Sequence, residues 1–298
     1  MKKIILFIVI GIALGGVGAY GVLRYVAGQR VDEEIAGFVK ETPALEKIDY
    51  NNVRVGIIRS SVHLEKIHIK LTEYAQPVII DEIDLAVPER GDSIPLRARI
   101  DIRGFHLGTD HRILGELGTM LQEMGYRKVS GTVTLSYLYD PAAKRLDINK
   151  VILQADDMGT LQFDLDVTNL DLPGLIARGG QTDVASLLLA LPAVGIGPGR
   201  LTYRDDSLVQ RITRLDDKRS GQKQLDIWRR SLTRLAQRLE GGKKERSRHA
   251  VLILREFIEH PESISVTLDP PKAVPLLRFL WIKKPVDLVE LLNMKISI

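Results

Sequence analysis

The chain contains no cysteine in 298 residues. That excludes disulfide staples, thiolate zinc sites, cysteine-held iron–sulfur clusters and a thiol nucleophile. Charge of one sign is not dominant either: Lys+Arg number 42 against 38 Asp+Glu, and a net charge of +4 is too small to mark the whole chain for nucleic acid. Familiar catalytic patterns are missing. The six histidines, His63, His68, His106, His111, His249 and His260, form no His-Glu-x-x-His pattern, and the five-residue spacing within the first two pairs puts neither pair on one face of a helix or strand. No Gly-x-Ser-x-Gly elbow is present. Gly195-Ile-Gly-Pro-Gly199 is glycine-rich but leads into a strand pattern, not a helix, so it reads as a turn and not as a phosphate cradle. The acidic pairs Asp156-Asp157, Asp205-Asp206 and Asp216-Asp217 read as exposed turn residues. The sequence therefore predicts no enzyme, no metal and no cofactor.

What is present begins with one long apolar run. Ile4 to Leu23 is 20 residues without a charge, preceded by Lys2-Lys3 and followed by Arg24. A helix crossing a ~30 Å hydrocarbon core needs roughly this length. The same layout describes a signal peptide, with Val17-Gly18-Ala19 as a cleavage site. The uncleaved anchor is favoured because the apolar run continues to Leu23. Basic residues on both sides nearly balance the positive-inside count, and the signal-like order favours a body outside the cytoplasm. Gly11, Gly15 and Ala19 form a small-residue stripe that suits helix pairing, although glycine is common in membrane spans. Val31, Ile35, Phe38 and Val39 repeat at helical offsets and predict a stalk that Thr42-Pro43 ends.

From Ile48 to Asp171 the apolar period is two. Ile67, Ile69 and Leu71 alternate with Lys66, His68 and Lys70. Ile83, Leu85 and Val87 alternate with Glu82, Asp84 and Ala86. Leu96, Ala98, Ile100 and Ile102 alternate with Arg97, Arg99, Asp101 and Arg103, and Leu161, Phe163, Leu165 and Val167 continue the pattern. This predicts half-buried antiparallel strands. Asp140-Pro141 links two of them as a hairpin. One helix, with Ile113, Leu114, Leu117, Met120, Leu121 and Met124 on its apolar face, interrupts them.

Beyond Pro173 the balance shifts to helix. Helices are expected over 207–215, with Ser207 as cap, over 222–239, over 250–258, and as short pieces over 276–281 and 286–292. Strands are expected over 199–206, 262–269 and 295–298. The charge is uneven here. Residues 200–255 hold 16 Lys/Arg against 7 Asp/Glu, an excess of nine that exceeds the total, so the rest of the chain is acidic. Arg229, Arg230, Arg234 and Arg238 occupy the polar side of the 222–239 helix, and Lys243 and Lys244 follow. Such a helix suits an anionic lipid surface; it equally suits a solvated outer face whose arginine stems cover apolar surface. No aromatic platform accompanies these residues, which argues against nucleic acid.

The anchor followed by Ile48-Asp-Tyr-Asn-Asn-Val-Arg-Val-Gly-Ile-Ile-Arg-Ser-Ser-Val-His-Leu-Glu-Lys-Ile-His-Ile69 resembles the opening of AsmA-like bacterial envelope proteins. It shares a strand, a small-residue turn and a strand ending in Leu64, Ile67 and Ile69. Gly131 to Asn169 is similar to the strand units of YdgA-like envelope proteins. The resemblance covers roughly residues 1–170. It implies an inner-membrane protein with a periplasmic β-rich body and a part in lipid transport or outer-membrane homeostasis. No catalytic or binding residue carries over from it.

These readings combine into an α+β expectation: a signal anchor or transmembrane helix over 1–27, a helical stalk over 28–45, an antiparallel β-meander with covering helices over 46–172, and a helix-rich region of mixed helix and strand over 173–298. The expected function is non-enzymatic: a single-pass bacterial inner-membrane protein with its body in the periplasm, bound to the membrane by its N-terminal helix. Its sheet holds lipid along Ile67, Ile69, Ile83, Leu85, Ile100, Ile102, Leu161, Phe163 and Leu165, or these residues form a dry core. The alternative is a scaffold that recruits another envelope protein.

Overall fold

In the computed structural model the described residues are 35–37, 39–40, 45–56, 61–72, 76–90, 95–174, 193–220, 224–240, 245–282 and 284–298. They are dominated by antiparallel strands and fall into two compact units. The first comprises residues up to Ser136 with Leu153–Asp156, and the second comprises Tyr137–Ile152 and Asp157–Ile298.

In the first unit the strands are β1 (Leu45–Asp49), β2 (Asn52–Gly56), β3 (Ser61–Leu71), β4 (Val78–Arg90) and β5 (Pro95–Gly108), followed by the start of β6 (Lys128–Asp140). β1 and β2 pair with successive stretches of β3, and β3 pairs with β4 and β4 with β5, all antiparallel. The residues form these strands because apolar side chains recur every second position and bury one face: Val62, Leu64, Leu85, Val87, Ala98, Ile100 and Ile102 are all nearly fully buried. Each large aliphatic side chain buried this way contributes about 1.5–3 kcal/mol.

The alternation changes phase midway. On β3, Val62 and Leu64 are buried, and then Ile67, Ile69 and Leu71. On β5, Ile102 is buried and the next inward residue is Phe105. β4 makes the same step between Ile80 and Ile83. The row Glu65–Glu82–Arg103 and the following row of Lys66, Asp81 and Gly104 supply the extra outward residue on all three strands at once, so no register slips. Lys66 (φ 54°) and Gly104 (φ 63°) take the left-handed conformation there. The sheet is creased along this line while its apolar face stays inward. A 3₁₀ turn (Arg112–Leu114) and α1 (Glu116–Glu123) bury Leu114, Leu121 and Met124.

β6 and β7 (Arg145–Ala155) each contribute residues to both units. Asp140 Oδ1 accepts from the backbone N–H groups of Ala142 and Ala143, which closes the turn between them. The second unit continues with β8 (Gly159–Thr168), β9 (Gly195–Asp205), α2 (Leu208–Ser220), α3 (Gln224–Arg238), α4 (Glu245–Glu259), β10 (Ser263–Leu268), β11 (Val274–Pro275), a 3₁₀ helix (Leu276–Trp281), α5 (Pro285–Leu291) and β12 (Lys295–Ser297). β8 pairs with β9, β9 with β10 and β10 with β12, all antiparallel, and β11 extends the pairing along β9.

The α+β expectation with a transmembrane helix and a helix-rich C-terminal part is corrected here. Antiparallel sheet predominates and strands run through to Ser297. The described residues contain no helix long and apolar enough to cross a membrane. The expected span over 4–23, with Gly11, Gly15 and Ala19, lies outside them, as do Lys243 and Lys244. The turn expected at Gly195–Gly199 is instead the first half of β9. The partner strand β8 shifts register between Leu165 and Val167, and backbone crowds in: a Cβ on Gly199 would stand 2.7 Å from the Asp164 carbonyl oxygen. Glycine there serves close approach, not a turn.

Candidate anion-binding site

α3 carries Leu225, Trp228, Leu232 and Leu235 at intervals of three and four, and this stripe is half-buried with Ala236 buried beside it. The intervening positions are Arg229, Arg230 and Arg234, all exposed. Their stems lie along the helix: Arg230 Nε donates to the Asp226 carbonyl at 3.1 Å and Arg234 Nε to the Arg230 carbonyl at 3.3 Å. Arg229 Nη2 reaches Asp226 Oδ1 at 3.1 Å.

α4 packs against α3. Its buried residues are Ser247, Ala250, Val251 and Phe257. Ser247 Oγ donates to the Val286 carbonyl at 3.2 Å and to Glu290 Oε1 at 3.0 Å, which ties α4 to α5. Phe257 meets Tyr203 of β9 edge-on, with ring centroids 6.2 Å apart. Held from both sides, α4 presents Arg255 to α3. Arg255 Nη1 lies 3.5 Å from Thr233 Oγ1, and Nε is buried without a hydrogen-bond partner, 4.0 Å from Glu259 Oε1.

The result is an open cleft of about 660 Å³ lined by Ile227, Arg229, Arg230, Thr233, Arg234 and Arg255. Four arginine side chains line one space, and among the described residues the carboxylates that engage them are Asp226 and Glu259. Guanidinium groups present planar forks of donors that match phosphate and carboxylate oxygens, and they stay charged at every working pH. A cleft with this lining has the chemistry to suit an anion.

Of the basic residues expected at a membrane surface, the structure brings Arg229, Arg230 and Arg234 together. Arg238 is exposed on the next turn and does not line the cleft. Sequence reasoning missed Arg255, because only the packing of α4 on α3 brings it there. Ser207 holds the expected cap position of α2, its carbonyl accepting from the Arg211 N–H at 3.0 Å. Asp205 Oδ1 is the acceptor for the Val209 N–H, at 3.0 Å, and Ser207 Oγ donates to the Asp157 carbonyl.

The residues expected to line a lipid groove or form a dry core fall in both units. Ile67, Ile69, Leu85, Ile100 and Ile102 are buried in the first unit and Ile83 is half-buried beside them. Leu161, Phe163 and Leu165 are half-buried in the second unit.

On the outer face of the first unit lies a polar network that the sequence did not single out. His63 Nδ1 is 2.7 Å from Asp84 Oδ1 and its Nε2 is 3.0 Å from Glu65 Oε1. Arg54 and Asn52 also engage Glu65, and Arg103 bridges Glu82 at 2.8 Å and Asp84 at 3.1 Å. The Asp84 carboxylate first, then Glu65, raises the His63 pKa above its usual 6.5. The His63 bond in turn lowers that of Glu65. With a carboxylate against each ring nitrogen, His63 is held within an ion cluster on this face. A second open cleft, of about 600 Å³, sets Asp147, Asp164, Asp166 and Asp269 beside Arg145 and Arg200. Arg145 already bridges Asp147 and Asp166. Among the described residues no group of three or more His, Asp or Glu side chains is arranged to hold a metal ion.

Residues 152–298 match a family model described as "Uncharacterized protein". The match takes in the whole arginine cleft, β9 and everything that follows. No curated protein matches the chain.

Proposed function

We propose that this protein is a non-enzymatic binder of phosphate-bearing lipid headgroups, and that the arginine cleft is where the headgroup sits. The observation that carries this reading is the convergence of Arg229, Arg230 and Arg234 from α3 with Arg255 from α4 on one open space. Four like charges gathered with two carboxylates around them repel one another, and an anion relieves that repulsion. The cleft has no aromatic side chain in its lining, so it offers no platform for stacked bases, and this favours a lipid phosphate over a nucleic acid. The resemblance of residues 48–69 to envelope proteins agrees with a lipid ligand.

The test uses the full chain and two probes, glycerol phosphate and monomeric dihexanoyl phosphatidylglycerol, in calorimetric titration. The expectation is that both bind, and that Arg229→Gln and Arg255→Gln each weaken binding about tenfold or more, as loss of a charged hydrogen bond does, without lowering the melting temperature. Glycerol phosphate binding with exclusion of the lipid assigns a soluble phosphate ligand and overturns the lipid reading. Binding untouched by both substitutions overturns the site.

A further inference from the structure

The 3₁₀ helix Leu276–Trp281 presents apolar side chains to water: Trp281 is 79% exposed and Leu277 is 45% exposed. Its base is fixed. Leu276 N donates to the Val194 carbonyl at 2.8 Å, and Val274 of β11 is buried and pairs with Ile196 of β9. A tryptophan held out on a strand-anchored turn is a built projection, since an indole left in water forfeits most of the stabilisation its burial would give. Along the chain the element itself is basic, between Asp269 before it and Asp287 after it. From Pro270 to Val286 the sequence has no acidic residue and four basic ones. Of these, Lys272, Arg278 and Lys284 are exposed in the structure.

We propose that this element is a membrane-docking point: Trp281 and Leu277 enter the interfacial layer of an anionic bilayer, and Arg278 and Lys284 meet its headgroup phosphates. Indole rings favour the headgroup level, where the apolar ring and the N–H are both accommodated. Basic side chains beside them are drawn to the negative surface. A protein partner would also accept a tryptophan, but the lack of any acidic residue across this stretch matches a uniformly anionic surface better than a mixed protein one. The inference shares no residue with the arginine cleft and stands whether or not the cleft holds a headgroup.

The chain has two tryptophans, so Trp228→Phe leaves Trp281 as sole reporter in the full-length protein. Emission is recorded with vesicles of equal parts phosphatidylglycerol and phosphatidylcholine, and with phosphatidylcholine alone. On the anionic vesicles the emission should move to the blue, acrylamide quenching should fall, and lipids brominated near the headgroup should quench Trp281. Arg278→Gln and Lys284→Gln should each weaken this partition about fivefold, the effect of one basic residue near an anionic surface. A Trp281 that stays open to acrylamide and untouched by brominated lipid, on vesicles that carry the protein or because the protein fails to bind them, overturns the proposal and points to a protein partner. Because the chain has no cysteine, Leu277→Cys labelled with an environment-sensitive dye gives the same readout should Trp228→Phe disturb folding.

Discussion

Asp81 fills the space that a side chain on Gly104 would need. The two residues lie opposite each other on β4 and β5, and a Cβ on Gly104 would stand 2.0 Å from Asp81 Oδ2. His106 Nε2 holds the same oxygen at 3.1 Å. Gly104→Ala therefore has to strain the left-handed backbone (φ 63°) and displace Asp81 as well. The expected loss is about 1–3 kcal/mol for the backbone alone, read as a lower urea midpoint. Adding Asp81→Ala should return most of the steric part, since only the Asp81 Cβ at 2.9 Å then remains in the way, and leave the backbone part. A Gly104→Ala midpoint equal to that of the unsubstituted protein would show that the crease is not constrained there.

The strands were legible in the sequence because each half of each strand alternates cleanly. Ile67, Ile69 and Leu71 give one phase, and Ile83, Leu85 and Val87 another. The crease was not legible, because it needs three strands set in register before Glu65–Lys66, Asp81–Glu82 and Arg103–Gly104 fall together. The helices over 207–215, 222–239 and 250–258 were visible from their apolar stripes, with boundaries displaced by up to five residues. β9 was only half visible, because a glycine run reads as a turn until its neighbour's backbone is in place. For the site, periodicity located three arginines on one helix side. Arg255 is contributed by tertiary packing, to which a local pattern is blind.

His63 and Glu65 set a pH window. The folded pKa of His63 is raised, so its stabilisation is complete below about 6.5 and is lost as pH rises through the higher folded value. That of Glu65 is lowered, so its contribution is complete above about 4.5 and is lost as pH falls through the lower folded value. The melting temperature of the first unit should accordingly be greatest between these limits and decline on the alkaline side. His63→Gln should flatten that decline. Carbon-labelled histidine NMR should give His63 a midpoint above 6.5; a midpoint at or below that value would remove the network's hold on the proton.

Tyr139 is 2% exposed, and its hydroxyl serves two backbone groups: it donates to the Leu170 carbonyl at 2.9 Å and accepts from the Leu172 N–H at 3.2 Å. Tyr139→Phe keeps the ring and strands both partners. A buried polar group left unpaired costs about 1–3 kcal/mol, so the variant should unfold at lower denaturant with an unchanged m-value. An unchanged midpoint would mean that water replaces the hydroxyl.

The arginine cleft should cost the fold stability. Arg234 has Arg230 four residues before it and Arg238 four residues after it on α3, both exposed like-charge neighbours. Like charges at this spacing destabilise a helix by roughly 0.2–0.5 kcal/mol per pair. Arg234→Gln relieves two such pairs and should raise the melting temperature at low ionic strength, with the gain shrinking as salt screens the charges. If the cleft is only a solvated face, the variant gains stability and loses nothing else. If it is an anion site, added glycerol phosphate raises the melting temperature of the unsubstituted protein more than that of Arg234→Gln, because a ligand stabilises only the fold that binds it. Equal phosphate-induced shifts in the two proteins would leave Arg234 without a part in binding.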